Sequence, residues 1–566
     1  RAPIRESRRQ SVGHGRGGDA AGGSVSAVGF DPHSGVIAID GVRYVYAGLE
    51  PISIAAPTNL TVNGTAGDDV ATLTAHATQL GWFTFSGATF ETVDFERPSV
   101  SLLIDALGGQ DSVTVANTFG VLDFGAIPVT ITAETIVVDG SLITTDDVTL
   151  DARASAQTGA TTNRSASAQV NGSISGRHVV VSATTEQAVS LLAQIASGPV
   201  TITLTSNALA EITGTIVAET LQVIAQTLVD VVYAGTAPTT TPWLGVGLPS
   251  VDAVVSVAAT NSTTARILDG ASLTVGGTSI SGTEPATVVV SALDDTSVSI
   301  TIVDGSAATR LGTLVPGPNP GAQFSFDNLQ ALVTLSRDTR ATLAADVTST
   351  GVVAVRARNQ GTIESTVTSD LVGIARHTVT TDNAVASVTG AALTVGGLEV
   401  SATSAGSYDA SAKDARNDVT GQTLASVTDS VIAAGADGVQ ITAEDLSTLR
   451  AHAGDQILVP GTPLVTATAA LAWNLLNRTV RAAVENSSID ALGDVAVRAL
   501  ADATLVSDTT AASIAQNPSA AITSDVLAVA ALFAANVLRG DVAAVVLNST
   551  VAGANLLIAA LAQQAL

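Results

Sequence analysis

One short phrase recurs along the chain, and it constrains the fold more than any other feature of the sequence. Its clearest copies are residues 388–402, 427–443, 484–499 and 546–560, with weaker copies at 170–183 and 267–280. Each copy joins two arms of alternating apolar residues at a Gly, Asp or Asn corner, and most copies end in alanine. Alternation with period two indicates β-strands, and a recurring two-arm unit indicates stacked coils. We therefore predict an all-β fold, a parallel β-helix (β-solenoid). Coils of about 20–25 residues predict a rod on the order of 100–125 Å long.

Small apolar residues must fill the interior of such a solenoid. Apolar residues make up 46% of the 566 residues, whereas aromatic residues make up only 3%. Small, uniform side chains suit a narrow interior in which like residues stack coil on coil. We expect the alternating apolar residues of each arm to face this interior. The positions expected inside include Val388, Leu393, Val400, Val484, Ile489, Val495 and Val497.

Three segments are expected along the chain. Residues 1–45 form a basic arm with short strands, residues 46–127 form the first coils, and residues 128–566 form the repetitive solenoid. The arm lacks apolar periodicity over its first 24 residues and is predicted to be flexible. Most phenylalanines lie no later than Phe124, which suits a wider, aromatic-filled cap. The Pro- and Gly-rich segments 237–249 and 315–321 cannot pair in a ladder, so we expect them to protrude as loops.

Charge and composition exclude several classes of protein. The chain has 50 acidic and 24 basic residues, a net charge of −26, and would repel a nucleic acid. It has no cysteine, which excludes disulfides and thiol chemistry. It also has no methionine and begins at Arg1, which we interpret as a processed product or a fragment. The apolar run 526–538 is shorter than the roughly 20 residues of a membrane span, so we predict further coils there.

Both ends of the chain carry features that predict assembly. The acidic chain begins with a cluster of arginines that can dock on an acidic neighbour or form a frayed arm. At the other end, an uncovered coil would expose unpaired backbone groups to a further strand. We expect copies of the chain to stack head to tail through these residues: Arg1, Arg5, Arg8, Arg9, Leu556, Leu557 and Ile558.

No catalytic constellation is present in the sequence. The six histidines have no metal-ligand spacing, and we interpret them as surface or corner residues. Adjacent acids at 68–69, 146–147 and 294–295 are each interpreted as corners without basic or aromatic partners nearby in sequence. A sugar-cleaving groove combines paired carboxylates with such partners. We therefore predict that the chain is not an enzyme, with a polysaccharide-active enzyme as the least favoured hypothesis.

Calcium is the one cofactor that the sequence suggests. Residues 64–70 and 105–113 have the spacing of Gly- and Asp-rich turns that bind calcium in tandem copies. Carboxylate and carbonyl oxygens are the ligands that this hard cation takes. The candidate ligands are Asp68, Asp69, Asp105 and Asp111. The alternative is that these sequences form turns and bind no ion.

Several motifs together resemble a known family. They are residues 48–52 (Gly-Leu-Glu-Pro-Ile), 59–65 (Asn-Leu-Thr-Val-Asn-Gly-Thr), 90–93 (Phe-Glu-Thr-Val) and 103–106 (Leu-Ile-Asp-Ala), together with the repeated phrase. In these motifs the chain resembles giant, repetitive, secreted bacterial surface proteins of the LEPR-XLL and filamentous-adhesin-like group. The resemblance covers roughly residues 48–566. It implies a right-handed parallel β-helix at the cell surface, and it supplies no catalytic residues.

These inferences lead to one functional hypothesis and one alternative. The leading hypothesis is a structural subunit of an extracellular bacterial fibre, sheath or surface layer, built by end-to-end stacking of rods. The alternative is a cell-surface adhesin whose protruding loops contact a glycan or another surface protein.

Overall fold

A computed structural model describes residues 23–31, 33–47, 51–157, 161–194, 199–237, 252–276, 287–304, 328–368, 372–460, 465–516 and 527–565. Within these ranges every regular element is a β-strand. The first strands are β1 Ser24–Asp31, β2 Ser34–Ile39, β3 Val42–Ala47, β4 Ile52–Ile54, β5 Asn59–Asn63, β6 Val70–Ala75, β7 Trp82–Gly87, β8 Val93–Glu96, β9 Ser101–Asp105, β10 Ser112–Val115, β11 Leu122–Asp123, β12 Val129–Ala133, β13 Thr135–Val138 and β14 Ser141–Ile143. The next are β15 Val148–Gln157, β16 Thr161–Val170, β17 Ser173–Ser175, β18 His178–Gln194, β19 Val200–Ile212, β20 Thr215–Ala218, β21 Thr220–Ala237, β22 Asp252–Ile267, β23 Ser272–Val275, β24 Val288–Asp304, β25 Asn328–Leu343, β26 Val347–Thr348 and β27 Val352–Thr368. The last are β28 Val372–Thr389, β29 Ala392–Ala412, β30 Asp414–Thr428, β31 Val431–Asp445, β32 Thr448–Pro460, β33 Val465–Glu485, β34 Ser488–Ala491, β35 Val495–Gln516, β36 Leu527–Arg539, β37 Val542–Leu547, β38 Thr550–Ala552 and β39 Leu556–Ala565.

The strands stack into a parallel β-solenoid with three faces, as the repeated phrase predicts. Face A contains β1, β5, β9, β12, β15, β18, β21, β24, β27, β29, β31 with β32, β35 and β39. Face B contains β6, β10, β13, β16, β19, β22, β25, β28, β30, β33 and β36 with β37. Face C is short and contains β11, β14, β17, β20, β23, β26, β34 and β38, with the first residues of β29 and β31 between β26 and β34.

The coils are longer and fewer than the sequence predicts. Stacked partners lie 32 residues apart between Ser141 and Ser173, 42 apart between Thr185 and Thr227, and 62 apart in later coils. Face A therefore has fifteen rungs in the described ranges, counting the antiparallel strands β2 and β3 at its N-terminal end, and the rod is on the order of 70 Å long. The predicted coil length and the 100–125 Å rod are wrong, because the strands of face A lengthen from 5 residues in β12 to 22 in β35.

Alanine explains how these two long faces stay close together. On face A an unbroken inward column of alanines runs from β12 to β39: Ala133, Ala152, Ala183, Ala225, Ala292, Ala357, Ala402, Ala443, Ala499 and Ala560. Face B carries a matching column: Ala168, Ala210, Ala265, Ala341, Ala386, Ala425, Ala482 and Ala544. The face A column includes the alanines that end five copies of the repeated phrase, whereas most alanines of the face B column lie two residues before a copy begins, as Ala386 does before Val388. Small side chains stacked in this way permit the close approach that the composition predicts.

Two apolar clusters fill the interior. The first runs the whole length of the rod and contains the inward residues beside face C. The second begins with Val189 on β18, where the strands lengthen, and continues to Leu505 on β35. The seven interior positions predicted from the sequence are all at most 2% exposed, which confirms the inward phase of the repeated phrase.

The corners of the phrase require left-handed backbone. In the last four copies the third residue has a positive φ: 66° at Gly390, 52° at Asp429, 51° at Asn486 and 49° at Asn548. Glycine, asparagine and aspartate adopt this conformation more readily than other residues. The repeated choice of these three residue types therefore has a backbone cause.

The N-terminal end differs from the rest of the rod. Strands β1–β3 and β6–β8 form antiparallel pairs, so β3 and β4 end up as the outermost strands of faces A and B. Stacked aromatic rings fill the space beneath them, with Phe83 and Phe124 centroids 4.3 Å apart and Phe85 and Phe90 centroids 5.1 Å apart. Residues 1–22 of the predicted arm lie outside the described residues, as do residues 238–249 and 315–321 of the segments that are predicted to protrude. No helix in the described ranges is long and apolar enough to cross a membrane.

Candidate functional site

The predicted calcium corners form part of a carboxylate ladder. Asp69, Asp111 and Glu134 stack in consecutive coils at the start of face B. The backbone N–H of Asp69 donates to Asp111 Oδ1 at 2.8 Å, and that of Asp111 donates to Glu134 Oε2 at 2.9 Å. Asp69 also accepts hydrogen bonds from Thr65 and Thr89. Each carboxylate therefore accepts hydrogen bonds from its own coil or from the preceding coil.

The two remaining candidates lie at neighbouring corners. Asp68 Oδ1 accepts from the backbone N–H of Gln110 at 2.8 Å, and Asp105 Oδ1 accepts from that of Leu107 at 3.0 Å. A surface cavity of about 490 Å³ opens beside them. Its charged lining residues are Asp68, Glu134, Arg153 and Arg164. Both signs of charge are present, so the cavity favours neither an anion nor a cation.

Burial perturbs two acids of this ladder. Asp111 is 2% exposed, and burial raises its pKa to about 7, with a further contribution from the nearby Glu134 carboxylate. Burial also raises the pKa of Glu134. A proton shared among stacked acids is one way to reduce their mutual repulsion.

Calcium binding at these corners stays a prediction, and the melting midpoint of the chain tests it. In the described ranges, no group of three or more His, Asp or Glu side chains is arranged to hold a metal ion. A cation bound only by the folded state raises the melting midpoint through mass action. Calcium here therefore predicts that a chelator lowers the midpoint and that Asp111→Asn removes this sensitivity. An unchanged midpoint in chelator would reject it.

The predicted assembly residues lie on an open edge. β39 pairs only with β35, and β36 and β37 pair only with β33, so one side of each strand is unpaired in the described structure. Leu556 and Ile558 are stacked on Val495 and Val497 in the core columns. Val495 and Val497 are 0% exposed, but Leu556 is 51% and Ile558 45% exposed. Leu557 is stacked on the outward-facing Ala496.

The predicted basic contact of this edge cannot be placed. Arg1, Arg5, Arg8 and Arg9 lie outside the described residues. The structure therefore brings Leu556 and Ile558 together on one inward row, sets Leu557 on the opposite side of the same strand, and leaves the four arginines as a prediction.

A buried polar spine separates the two apolar clusters, and sequence reasoning missed it. Its members occupy one inward position on each of six consecutive rungs. On face A they are Thr185, Thr227, Asp294, Asn359, Ser404 and Asp445. On face B they are Ser206, Asn261, Arg337, Asp382, Gly421 and Arg478. The prediction that residues 294–295 form a corner is wrong, because Asp294 lies inside β24 and is fully buried.

Asp382 is the centre of the spine. Arg337 Nε donates to Asp382 Oδ1 at 3.0 Å, Asn359 Nδ2 donates to the same oxygen at 2.8 Å, and Tyr408 OH donates to Oδ2 at 3.2 Å. Arg478 also donates to Oδ2. Burial alone would raise the pKa of Asp382, but the two guanidinium groups reverse this and hold the pKa well below its usual range.

Two backbone features make this cluster possible. Register shifts around Thr380 in β28 mark a β-bulge, after which the inward phase moves by one residue and Asp382 faces the interior. Gly421 lies between Asp382 and Arg478 in the same column. A Cβ on Gly421 would lie 2.2 Å from the Asp382 carbonyl oxygen, so this position requires glycine. The missing side chain leaves space for Arg478 to extend past Gly421 and reach Asp382.

A second polar column runs beside the spine. His377, Asn417, Asn474 and Asn536 are stacked on face B. Asn417 Nδ2 donates to Asn474 Oδ1 at 2.8 Å, and Asn474 Nδ2 donates to Asn536 Oδ1 at 3.0 Å. Because both Asn417 amide protons are engaged elsewhere, His377 Nδ1 must carry the proton in its 2.7 Å bond to Asn417 Oδ1. His377 is fully buried, so its interpretation as a surface or corner residue is wrong.

Comparisons with protein-family models, with curated proteins and with solved structures found no match for this chain. Its function must therefore be argued from the open edge and from the buried polar columns.

Proposed function

We propose that this chain is a structural rod, a subunit of an extracellular bacterial fibre, sheath or surface layer, in which copies stack head to tail through the open edge. The observation that carries the proposal is the exposed continuation of the core columns at Leu556 and Ile558. Exposed apolar side chains beside unpaired backbone groups are a template for a further strand. The extracellular location rests on the cysteine-free composition and on the family resemblance.

Strand direction supports head-to-tail stacking. Strand β3, the outermost strand of face A at the N-terminal end, runs in the same direction as β39. Strand β4, its counterpart on face B, runs in the same direction as β36. A copy placed head to tail therefore continues parallel pairing on both long faces. Val42 of β3 pairs with Ile39 in the inward phase of the sheet, is 54% exposed and offers apolar contact.

The two ends differ in width, which sets where contact is made. Strand β4 has 3 residues and β3 has 6, whereas β36 has 13 and β39 has 10. In a head-to-tail pair the narrow N-terminal end of one copy covers the first apolar cluster at the wide edge of the next. The part of that edge beside the second cluster stays uncovered. Leu556 and Ile558 belong to the columns of the first cluster, so they lie where the proposed contact is made.

A charge on the inward row should block stacking. We expect Leu556→Lys and Ile558→Lys to reduce end-to-end association at least tenfold, because a buried unpaired ammonium is strongly unfavourable. The measurement is sedimentation velocity over a range of concentrations, with negative-stain imaging of the same samples.

Leu557→Lys is the matched control, since it adds the same charge to the same strand on the outward side. It should leave association unchanged. The proposal fails if wild-type rods stay single at every concentration, or if Leu557→Lys disrupts association as strongly as Ile558→Lys. Circular dichroism establishes that each variant remains folded.

A further inference from the structure

Three buried oxygen atoms of the polar spine have no hydrogen-bond donor. They are Asn261 Oδ1, Asp294 Oδ2 and Asn359 Oδ1, on side chains that are at most 2% exposed. Asp294 and Asn359 are direct register partners on neighbouring rungs. Asn261 lies on the facing sheet, and it meets Asp294 through one hydroxyl group, that of Thr296. Buried acceptors of this kind normally bind a donor, a water or an ion.

The side-chain amides of Asn261 and Asn359 cannot be flipped to exchange oxygen for nitrogen and so supply the missing donor. Thr296 Oγ1 donates to Asp294 Oδ1 at 2.6 Å, so it can only accept from Asn261, whose Nδ2 lies 2.8 Å away. Asn359 Nδ2 donates to the Asp382 carboxylate, where an amide oxygen would be repelled. Both amide oxygens are therefore fixed as acceptors, next to a carboxylate oxygen.

The charges of the spine do not balance. When ionised, Asp294, Asp382 and Asp445 carry three negative charges, against two positive charges on Arg337 and Arg478. Both arginines donate to Asp382. Arg337 Nη1 is 3.9 Å from Asp294 Oδ1, beyond hydrogen-bond distance, and donates instead to the Gln360 carbonyl. Asp294 is therefore the carboxylate whose negative charge is not balanced.

We propose that Asp294 Oδ2, Asn261 Oδ1 and Asn359 Oδ1 bind one small monovalent cation, such as sodium, inside the solenoid. Carboxylate and amide oxygens suit hard cations. A single charge balances the spine, whereas a divalent ion would leave a buried excess of positive charge.

Competition with a proton sets the conditions of the test. Burial raises the pKa of Asp294 to about 6, against the lowering effect of Arg337. At pH 8, above this value, the carboxylate is ionised and the cation can bind. The full-length chain should therefore melt higher in sodium chloride than in choline chloride of equal ionic strength at pH 8, by about 2 °C or more. Choline is too large to enter a buried site.

Two variants separate this site from general salt effects. Asp294→Asn should lose the difference between the two salts, because the neutral amide has no charge to balance. Asp295→Asn is the matched control, since its neighbouring carboxylate points outward to Gln360 and should keep the difference. Equal midpoints in both salts for the wild type would overturn the proposal.

A high-resolution crystal structure of the wild-type chain grown in sodium chloride at pH 8 gives an answer that depends on no variant. A density peak about 2.4 Å from Asp294 Oδ2 and from the two amide oxygens, closer than a hydrogen-bonded water, would establish the site. A water molecule or empty density at that position would instead assign the balancing charge to a proton, and would overturn the proposal.

Discussion

Replacing Asp382 with alanine should lower the free energy of unfolding by about 3–5 kcal/mol, the usual cost of removing one partner from a buried ion pair. Asp382 accepts hydrogen bonds from Arg337, Asn359, Tyr408 and Arg478, and these side chains come from four different coils. Its loss leaves two guanidinium groups in the interior with too little negative charge. Equilibrium denaturation in urea, followed by circular dichroism, measures the loss.

An exposed ion pair one rung away supplies the control. Arg356 Nε donates to Glu399 Oε1 at 2.8 Å, and Arg356 is 50% exposed. Arg356→Ala should change the free energy of unfolding by only about 0.2–1 kcal/mol, because solvent already screens such a pair. Losses of similar size in the two variants would show that the spine contributes no more than a surface ion pair.

Much of the fold is predictable from the sequence because local rules act on every coil. Period-two alternation placed Val388, Val484 and Val495 inside, and they are fully buried. Asparagine at Asn486 and Asn548 indicated corners, and both residues have positive φ. Here backbone sterics and hydrophobic burial favour the same structure, so a single repeat is informative about all the others.

The size of the coils was not predictable in the same way. Long strands such as β29 carry Ser404, Gly406 and Tyr408 at inward positions, and in a sequence these residues look like the polar face of an arm. Their pairing depends on a partner rung 40 or more residues away, such as Thr227 above Thr185. A local sequence pattern carries no information about this separation along the chain.

Two aspartates of the polar spine differ in how far the sequence predicts their burial. Asp294 continues the inward phase of Ala292 and Thr296, so strict alternation would have placed it inside. Asp382 is different, because the bulge at Thr380 moves the phase by one residue and a count from Val379 places Asp382 outside. Bulges change the facing of side chains without a reliable mark in the sequence.

The three apolar candidates for assembly, Leu556, Leu557 and Ile558, do not share one face of their strand. Leu556 and Ile558 stand in phase with the repeated phrase, and the structure places them on the core columns. Leu557 was grouped with them on hydrophobicity alone, but it occupies the alternate position and lies outward. Phase, rather than apolar character, decides which side chain a stacked coil would bury.

Replacing His377 with asparagine should remove part of the acid sensitivity of the rod. Burial lowers the pKa of His377 to about 4, with Asn417 acting weakly in the other direction. The unfolded chain therefore binds a proton near pH 6.5 that the folded chain takes up only near pH 4. Folded-state stability falls as the pH drops through this window, by about 3 kcal/mol in total. Asparagine carries no titrating group and continues the asparagine column.

The measurement is the difference in unfolding free energy between wild type and His377→Asn at several values of pH. The difference should change by about 3 kcal/mol between pH 7 and pH 4 in favour of the variant. Subtraction cancels the contribution of Asp294, whose raised pKa works in the opposite direction, since its stabilising effect is present at low pH and is lost as the pH rises towards 6. His452→Asn, at a partly exposed position, is the control. A constant difference for His377→Asn would mean that the buried imidazole accepts its proton as readily as a histidine in the unfolded chain.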